Sequence, residues 1–168
     1  MTALCLPRVG LDAVMHDLES FGRDGTESIA FGLGRRQDGV ATVMSVVLAE
    51  EPGITRRFGL LRLSERWMLK LTELCESLEQ AVVMQFHSHP EEAWHSDTDD
   101  HHLFHAPGIF SVVVPDFAQS AAARDQSAWA VYRCANGGAF EASTPTAVDV
   151  TDGDASLIIV SEDGWRHA

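Results

Sequence analysis

A chain of 168 residues is long enough for one packed core and too short for two ordinary domains. Hydrophobic residues at 45% exclude wholesale disorder, and a net charge of -13 at pH 7 with neutral His disfavours nucleic-acid phosphates as partners. The opening Met-Thr-Ala-Leu-Cys-Leu-Pro-Arg lacks the charged segment and apolar core of a signal peptide, and no apolar run is long enough to span a bilayer, so the expected location is the cytoplasm, with no membrane partner.

Leu11, Val14, Met15, Leu18 and Phe21 recur at helical spacing, which predicts an amphipathic helix over residues 10–22 with this face in the core. Strands follow at 29–35 and 40–49, joined across Gln37-Asp38-Gly39, where Asp-Gly signals a hairpin. Residues 55–61 can add a strand. Ser64 can cap a helix over residues 65–80, with Trp67, Leu71, Leu74, Cys75 and Leu78 on one face. That helix delivers the chain into a strand over residues 82–87. Beyond a loop, Asp99 and Asp100 fall where a helix N-terminus is expected, since the helix dipole favours carboxylates there. The apolar run 109–115 has strand length, and 128–134 with 139–142 reads as a hairpin around Asn136-Gly137-Gly138. From Ser143 the composition turns to Thr, Pro, Asp and Gly before Leu157-Ile158-Ile159-Val160, so residues 144–168 are expected to be an edge strand or a tail of the same domain. No repeat or linker divides this α/β pattern.

The chemistry concentrates at His87-Ser88-His89-Pro90, followed by Ser96 and the pair Asp99-Asp100. On an extended segment side chains alternate faces, so His87 and His89 point to one side with Ser88 turned away. Two imidazoles on one face can share a metal. A carboxylate ten or eleven positions beyond His89 can supply a third ligand. Three protein ligands leave a tetrahedral Zn²⁺ one position for water, as a hydrolytic site needs, whereas a structural site is closed by a fourth. The cysteines, Cys5, Cys75 and Cys134, form neither a CxxC clip nor a disulfide framework, which suits a reducing compartment and leaves zinc to His and Asp. His95, His101, His102 and His105 have ordinary roles in orienting ligands, facing solvent or packing at a helix end. Trp94, in a short loop beside the histidines, can contact substrate or anchor the loop.

An upstream Glu, then His-x-His-Pro, then Ser-x-x-Asp (Ser96-Asp97-Thr98-Asp99) resembles the JAB/MPN domain family with the JAMM metalloprotease motif. Family members usually place seven residues between the second His and the Ser, whereas Pro90 to His95 makes six. The Ser-x-x-Asp reading makes Asp99 the ligand and retains the Ser96 hydroxyl. The usual His-to-Asp distance selects Asp100 and puts Asp97 where the serine belongs. Glu27 matches the family's general base, standing in Gly25-Thr26-Glu27-Ser28-Ile29-Ala30-Phe31-Gly32-Leu33-Gly34, where a Glu precedes a small-and-apolar run ending in Gly-x-Gly. Glu19, its competitor, fits the polar face of the preceding helix.

The resemblance implies a single MPN/JAB-like domain over residues 1–143, with residues 144–168 as part of it, built on a central, mostly antiparallel curved sheet flanked by helices. It implies Zn²⁺ on His87, His89 and Asp99, Glu27 as general base, and Ser96 as an oxyanion donor. The implied reaction is zinc-dependent isopeptidase or peptidase cleavage after the C-terminal glycine of a ubiquitin-like protein, in deconjugation or maturation. Bacterial relatives of this size look like partners of minimal conjugation systems with E1-like and E2-like proteins, including anti-phage defence operons. Two alternatives stay open: a peptidase of sulfur-carrier proteins in cofactor or cysteine synthesis, and a non-catalytic MPN scaffold. No residue pattern specifies an oligomeric state.

Overall fold

The fixed φ of Pro7 ends the first strand, β1 (Ala3–Pro7), and starts helix α1 (Arg8–Gly22) without a side-chain cap. This computed structural model describes residues 3–94 and 103–168. Helix α1 buries Val14, Met15 and Leu18, the stripe its 3.6-residue period predicts. It can approach the chain beyond the sheet because Gly22 has no side chain: a Cβ there would lie 2.1 Å from the carbonyl oxygen of Phe117.

Strands β2 (Ile29–Gln37) and β3 (Val40–Ala49) form the expected antiparallel hairpin. Asp38 and Gly39 have φ of 52° and 81°, the left-handed pair that matches a two-residue turn to the twist of its strands. Residues 54–63 give a hairpin where the sequence suggested one strand. Strands β4 (Ile54–Arg57) and β5 (Leu60–Leu63) pair with each other in a separate two-stranded sheet. Ser64 then caps α2 (Glu65–Leu78), its side chain accepting from the Trp67 backbone N–H at 3.1 Å. Trp67, Leu71 and Leu74 are buried, and the Trp67 indole N–H donates to the carbonyl of Val160.

Among the described residues the main sheet has ten strands in a mixed, curled arrangement. Its order runs β10 (Val148–Thr151), β1, β3, β2, β6 (Ala81–Ser88), β7 (Phe110–Val114), β8 (Ala130–Cys134) and β9 (Phe140–Ala142). Strand β11 (Ser156–Ser161) lies parallel to the second half of β3 and pairs on its other edge with β12 (Gly164–His167). The segment 144–168 therefore contributes three sheet strands, with β10 parallel to β1.

The two faces have separate cores. Toward α1, Val14, Met15 and Leu18 pack with Ala30, Phe86 and Phe110; toward α2, Trp67, Leu71 and Leu74 pack with Ile29, Phe31 and Leu33. The pairing of β6 with β7 is parallel, which obliges a long crossover between Ser88 and Phe110. That crossover carries the Ser96 to Asp100 motif. Among the described residues no helix is long and apolar enough to cross a membrane.

Candidate metal centre

Register carries the site. In the antiparallel β2–β6 pair Ile29 faces His87, and Ser88 N–H donates to the Ser28 carbonyl at 3.2 Å. Ser28 lies opposite Ser88, the two joined by a hydrogen bond from each backbone N–H, and Glu27 precedes it outside the ladder. Residues directly opposite in an antiparallel pair share a face. Ile29, His87 and His89 therefore lie on the α2 face, while Ser28 and Ser88 turn toward α1. Ser88 has a partner there, its hydroxyl accepting from the Ser28 backbone N–H at 3.2 Å.

His87 is fully buried, and His89 and Glu27 are each only 5% exposed, so these polar groups sit at the wall of the core. The His87 and His89 ring centroids are 5.2 Å apart with planes inclined at 60°. Two imidazoles sharing one tetrahedral ion at about 2.1 Å per bond would hold their ring centres about 5 Å apart. The pair thus fits a common ion, and imidazole suits zinc-class metals. Among the described residues no group of three or more His, Cys, Asp and Glu gathers that could hold a metal. The expected oxygen donors Asp99 and Asp100, the expected oxyanion donor Ser96, and His95, Asp97, His101 and His102 lie outside the described residues, as does the predicted helix start.

The chain leaving the histidines is clamped. His89 N–H donates to the Val114 carbonyl at 2.9 Å, Phe117 N–H to the His89 carbonyl at 2.7 Å, and Asp116 N–H to the Glu91 carbonyl at 2.9 Å. Asp116, Phe117 and Ala118 hold this clamp with φ of 55°, 51° and 60°, three consecutive left-handed residues, none of them glycine. Such a turn costs roughly 1–2 kcal/mol per residue and persists only where surrounding contacts enforce it. Trp94, expected to touch substrate or anchor its loop, is 54% exposed and meets the His89 ring edge-on at 5.7 Å. His105 is accounted for elsewhere: its Nδ1 hydrogen-bonds the Gly138 carbonyl and its ring packs on Phe140.

Glu19, the competitor of Glu27, pairs with Arg23 and Arg124 at the surface. Its carboxyl is held below the ordinary range, first by the Arg23 hydrogen bond. Sequence reasoning missed a group behind Glu27. Ser28 Oγ donates to Asp17 Oδ2 at 3.0 Å and accepts from Arg56 Nε at 3.2 Å, and Arg56 lies 3.8 Å over the Phe21 ring. Burial pushes the Asp17 carboxyl up, opposed by the Ser28 hydrogen bond and the Arg56 charge, and burial pushes the Arg56 guanidinium down. The only sequence signal was Asp17 and Phe21 at i, i+4 on the predicted helix; Arg56 lay in the strand expected over residues 55–61, with nothing to direct it to Ser28.

No family model matches the chain. It is similar to a Sinorhizobium fredii (strain NBRC 101917 / NGR234) protein described as probable metalloprotease y4jG, at 30% identity over 118 residues, covering 69% of this chain and 73% of that one. Its fold is like the solution structure of protein DSY2949 from Desulfitobacterium hafniense, with a TM-score of 0.60 at 15% identity, covering 89% of this chain and 94% of that one.

Proposed function

The chain belongs to the metalloprotease family of this Sinorhizobium protein, and from that membership we propose that it is a JAMM-type zinc peptidase that cuts after the C-terminal glycine of a ubiquitin-like protein. The observation that carries the reading is the buried His87–His89 pair with ring centroids 5.2 Å apart, while Ser28, next to the buried Glu27, is bonded to the Ser88 between them. A carboxylate and two imidazoles are costly to bury without a chemical task.

In this reading His87, His89 and Asp99 hold Zn²⁺, with Asp100 the alternative third ligand. When bound, zinc supplies Lewis-acid polarisation of water and of the substrate carbonyl. Glu27 accepts a proton from the attacking water as its oxygen bonds to the carbonyl carbon. The Ser96 hydroxyl donates to the developing oxyanion; removing one such donor typically costs about 3 kcal/mol. When the carbon–nitrogen bond breaks, Glu27 passes its proton to the departing amine.

Burial also supports the substrate class. With His87 fully buried and His89 nearly so, the scissile bond must come to the wall of the core, which favours an extended tail without bulky side chains. A glycine-ended tail meets that requirement, and the bond cut is an isopeptide or peptide bond. The reading includes E1-like and E2-like partners in a bacterial conjugation system, with anti-phage defence as its setting.

The test is cleavage of a panel of ubiquitin-like proteins fused through their terminal glycine to a reporter, with linear sulfur-carrier fusions beside lysine-linked conjugates. Wild type should give chelator-sensitive cleavage after the glycine. Glu27→Gln should lose about 10²- to 10⁴-fold while still binding zinc. Cleavage confined to sulfur-carrier fusions would move the enzyme to the alternative substrate. Full activity in Glu27→Gln would end the assignment.

A further inference from the structure

Glu27 lies just outside the regular ladder, since β2 begins at Ile29. What fixes its backbone is therefore on either side of it. Before it, the Thr26 N–H and hydroxyl both donate to the Phe21 carbonyl, at 3.3 and 3.1 Å. After it, Ser28 is fully buried and its polar groups are engaged in several directions. Its N–H and C=O meet Ser88, and its hydroxyl meets Asp17 from α1 and Arg56 from β4. Arg56 is itself fixed, donating through Nη2 to the Ala49 carbonyl at the end of β3 and lying over Phe21. Asp17 and Phe21 stand one turn apart on the same helix.

Asp17 and Arg56 are half-buried, burial works against both charges, and each is held by the Ser28 hydroxyl. Geometry accounts for this group, because Ser28 is the residue through which α1, the β4–β5 hairpin and β6 all grip the Glu27 strand. We propose that Ser28, Asp17 and Arg56 are positioning residues that hold the Glu27 backbone against the strand that bears His87 and His89. The inference rests on Glu27 being the base. A catalytic group must be held within roughly 0.5 Å of its working position, and a misplacement of about 1 Å can cost 10²-fold.

The experiment combines a double-mutant cycle with two readouts that do not depend on turnover. Ser28→Ala is made in the wild-type and Glu27→Gln backgrounds. Asp17→Leu with Arg56→Met serves as a second variant that leaves neither charge buried alone, so it keeps the fold if Ser28→Ala does not. On the best-cleaved reporter fusion, each variant should lower kcat about 10- to 100-fold with KM within about twofold. Neither should lower the residual rate of Glu27→Gln further, because the effect runs through that carboxylate. Zn²⁺ affinity by calorimetric titration should stay within about threefold, while amide exchange at Ser28 and Ser88 accelerates at least about tenfold.

An inactive Glu27→Gln beside an unaffected Ser28→Ala and double variant overturns the inference alone. Equal losses in both backgrounds also overturn it, since the network would then act on something other than Glu27. Full activity in Glu27→Gln removes the base assignment and this inference with it.

Discussion

Strand β6 presents two faces with different work. Toward α1, Phe86 is fully buried and stacks edge-on against Trp129 at 5.3 Å, in a core that includes Val14, Leu18 and Phe110. Toward α2, the core of Trp67, Leu71 and Val82 gives way along the same strand to Gln85, His87 and His89. The α1 face closes on apolar contact until the end of the strand, where the buried Ser88 and Ser28 satisfy each other by hydrogen bonds. The other face must find partners for polar groups it has withdrawn from water. Gln85 answers with its carbonyl oxygen, which accepts from the Phe104 N–H at 3.0 Å. The comparison teaches that the dry face is the mount of the wet one. The imidazoles are kept in register by the residues alternating with them, Phe86 packed in the core and Ser88 bonded to Ser28.

The sharpest way to break this comparison is to remove the proposed metal ligands and ask whether the mount survives. His89→Ala, or chelation of the wild type, should lower cleavage of the reporter fusion about 10³-fold or more, the several kcal/mol that a Lewis acid contributes. The near-ultraviolet circular dichroism of Trp67 and Trp129 should stay native, because neither core contains a metal ligand. Loss of tertiary signal on chelation would make the metal part of the fold and erase the division between the faces.

The reverse experiment strikes the mount. Phe86→Ala removes a fully buried ring and its contact with Trp129, and the cost expected for such a cavity is about 3–5 kcal/mol. Urea unfolding should register that loss in the midpoint with an unchanged slope. Where the variant remains folded, cleavage should fall less than in His89→Ala, since no ligand or base has been touched. A Phe86→Ala protein as stable as wild type would show that the α1 face is not what holds β6.

What the sequence disclosed divides along the same line. Local periodicity was readable: the 3.6-residue stripe of α1, the Asp38-Gly39 turn, the Ser64 cap, and the two-residue alternation that sets His87 and His89 together. Contacts between distant segments were not. Strand β1 pairs in parallel with β10, Leu4 against Val148, and neither short segment advertises the other. The left-handed stretch Asp116–Ala118 runs against local preference and is enforced by carbonyls of His89 and Glu91. Arg56 reaches Ser28 because a hairpin folds β4 back, a bend marked in sequence only by Phe58-Gly59, where Gly59 has φ of 69°. The His87–His89 pairing was legible because it depends on near neighbours. The contacts around Ser28 were not, because they come from three separate elements.

The smallest effect concerns exposed side chains at the rim of the sheet. Arg166 of β12 grips Glu50 with two hydrogen bonds, 2.7 and 2.8 Å, tying the last strand to the end of β3. Both side chains are about half exposed, at 56% and 46%, so water and salt screen the pair and its worth is small. The Arg166 hydrogen bond, aided by its charge, holds the Glu50 carboxyl below the ordinary range. A depressed carboxyl favours the folded state above its unfolded pKa, and that contribution is lost as pH falls through the folded value. Glu50→Gln should therefore be slightly less stable than wild type at neutral pH, with the difference closing in acid and in high salt while reporter cleavage is unchanged. A difference that persisted in acid would mean the side chain stabilises β12 through packing, because the charge that distinguishes Glu from Gln is gone there.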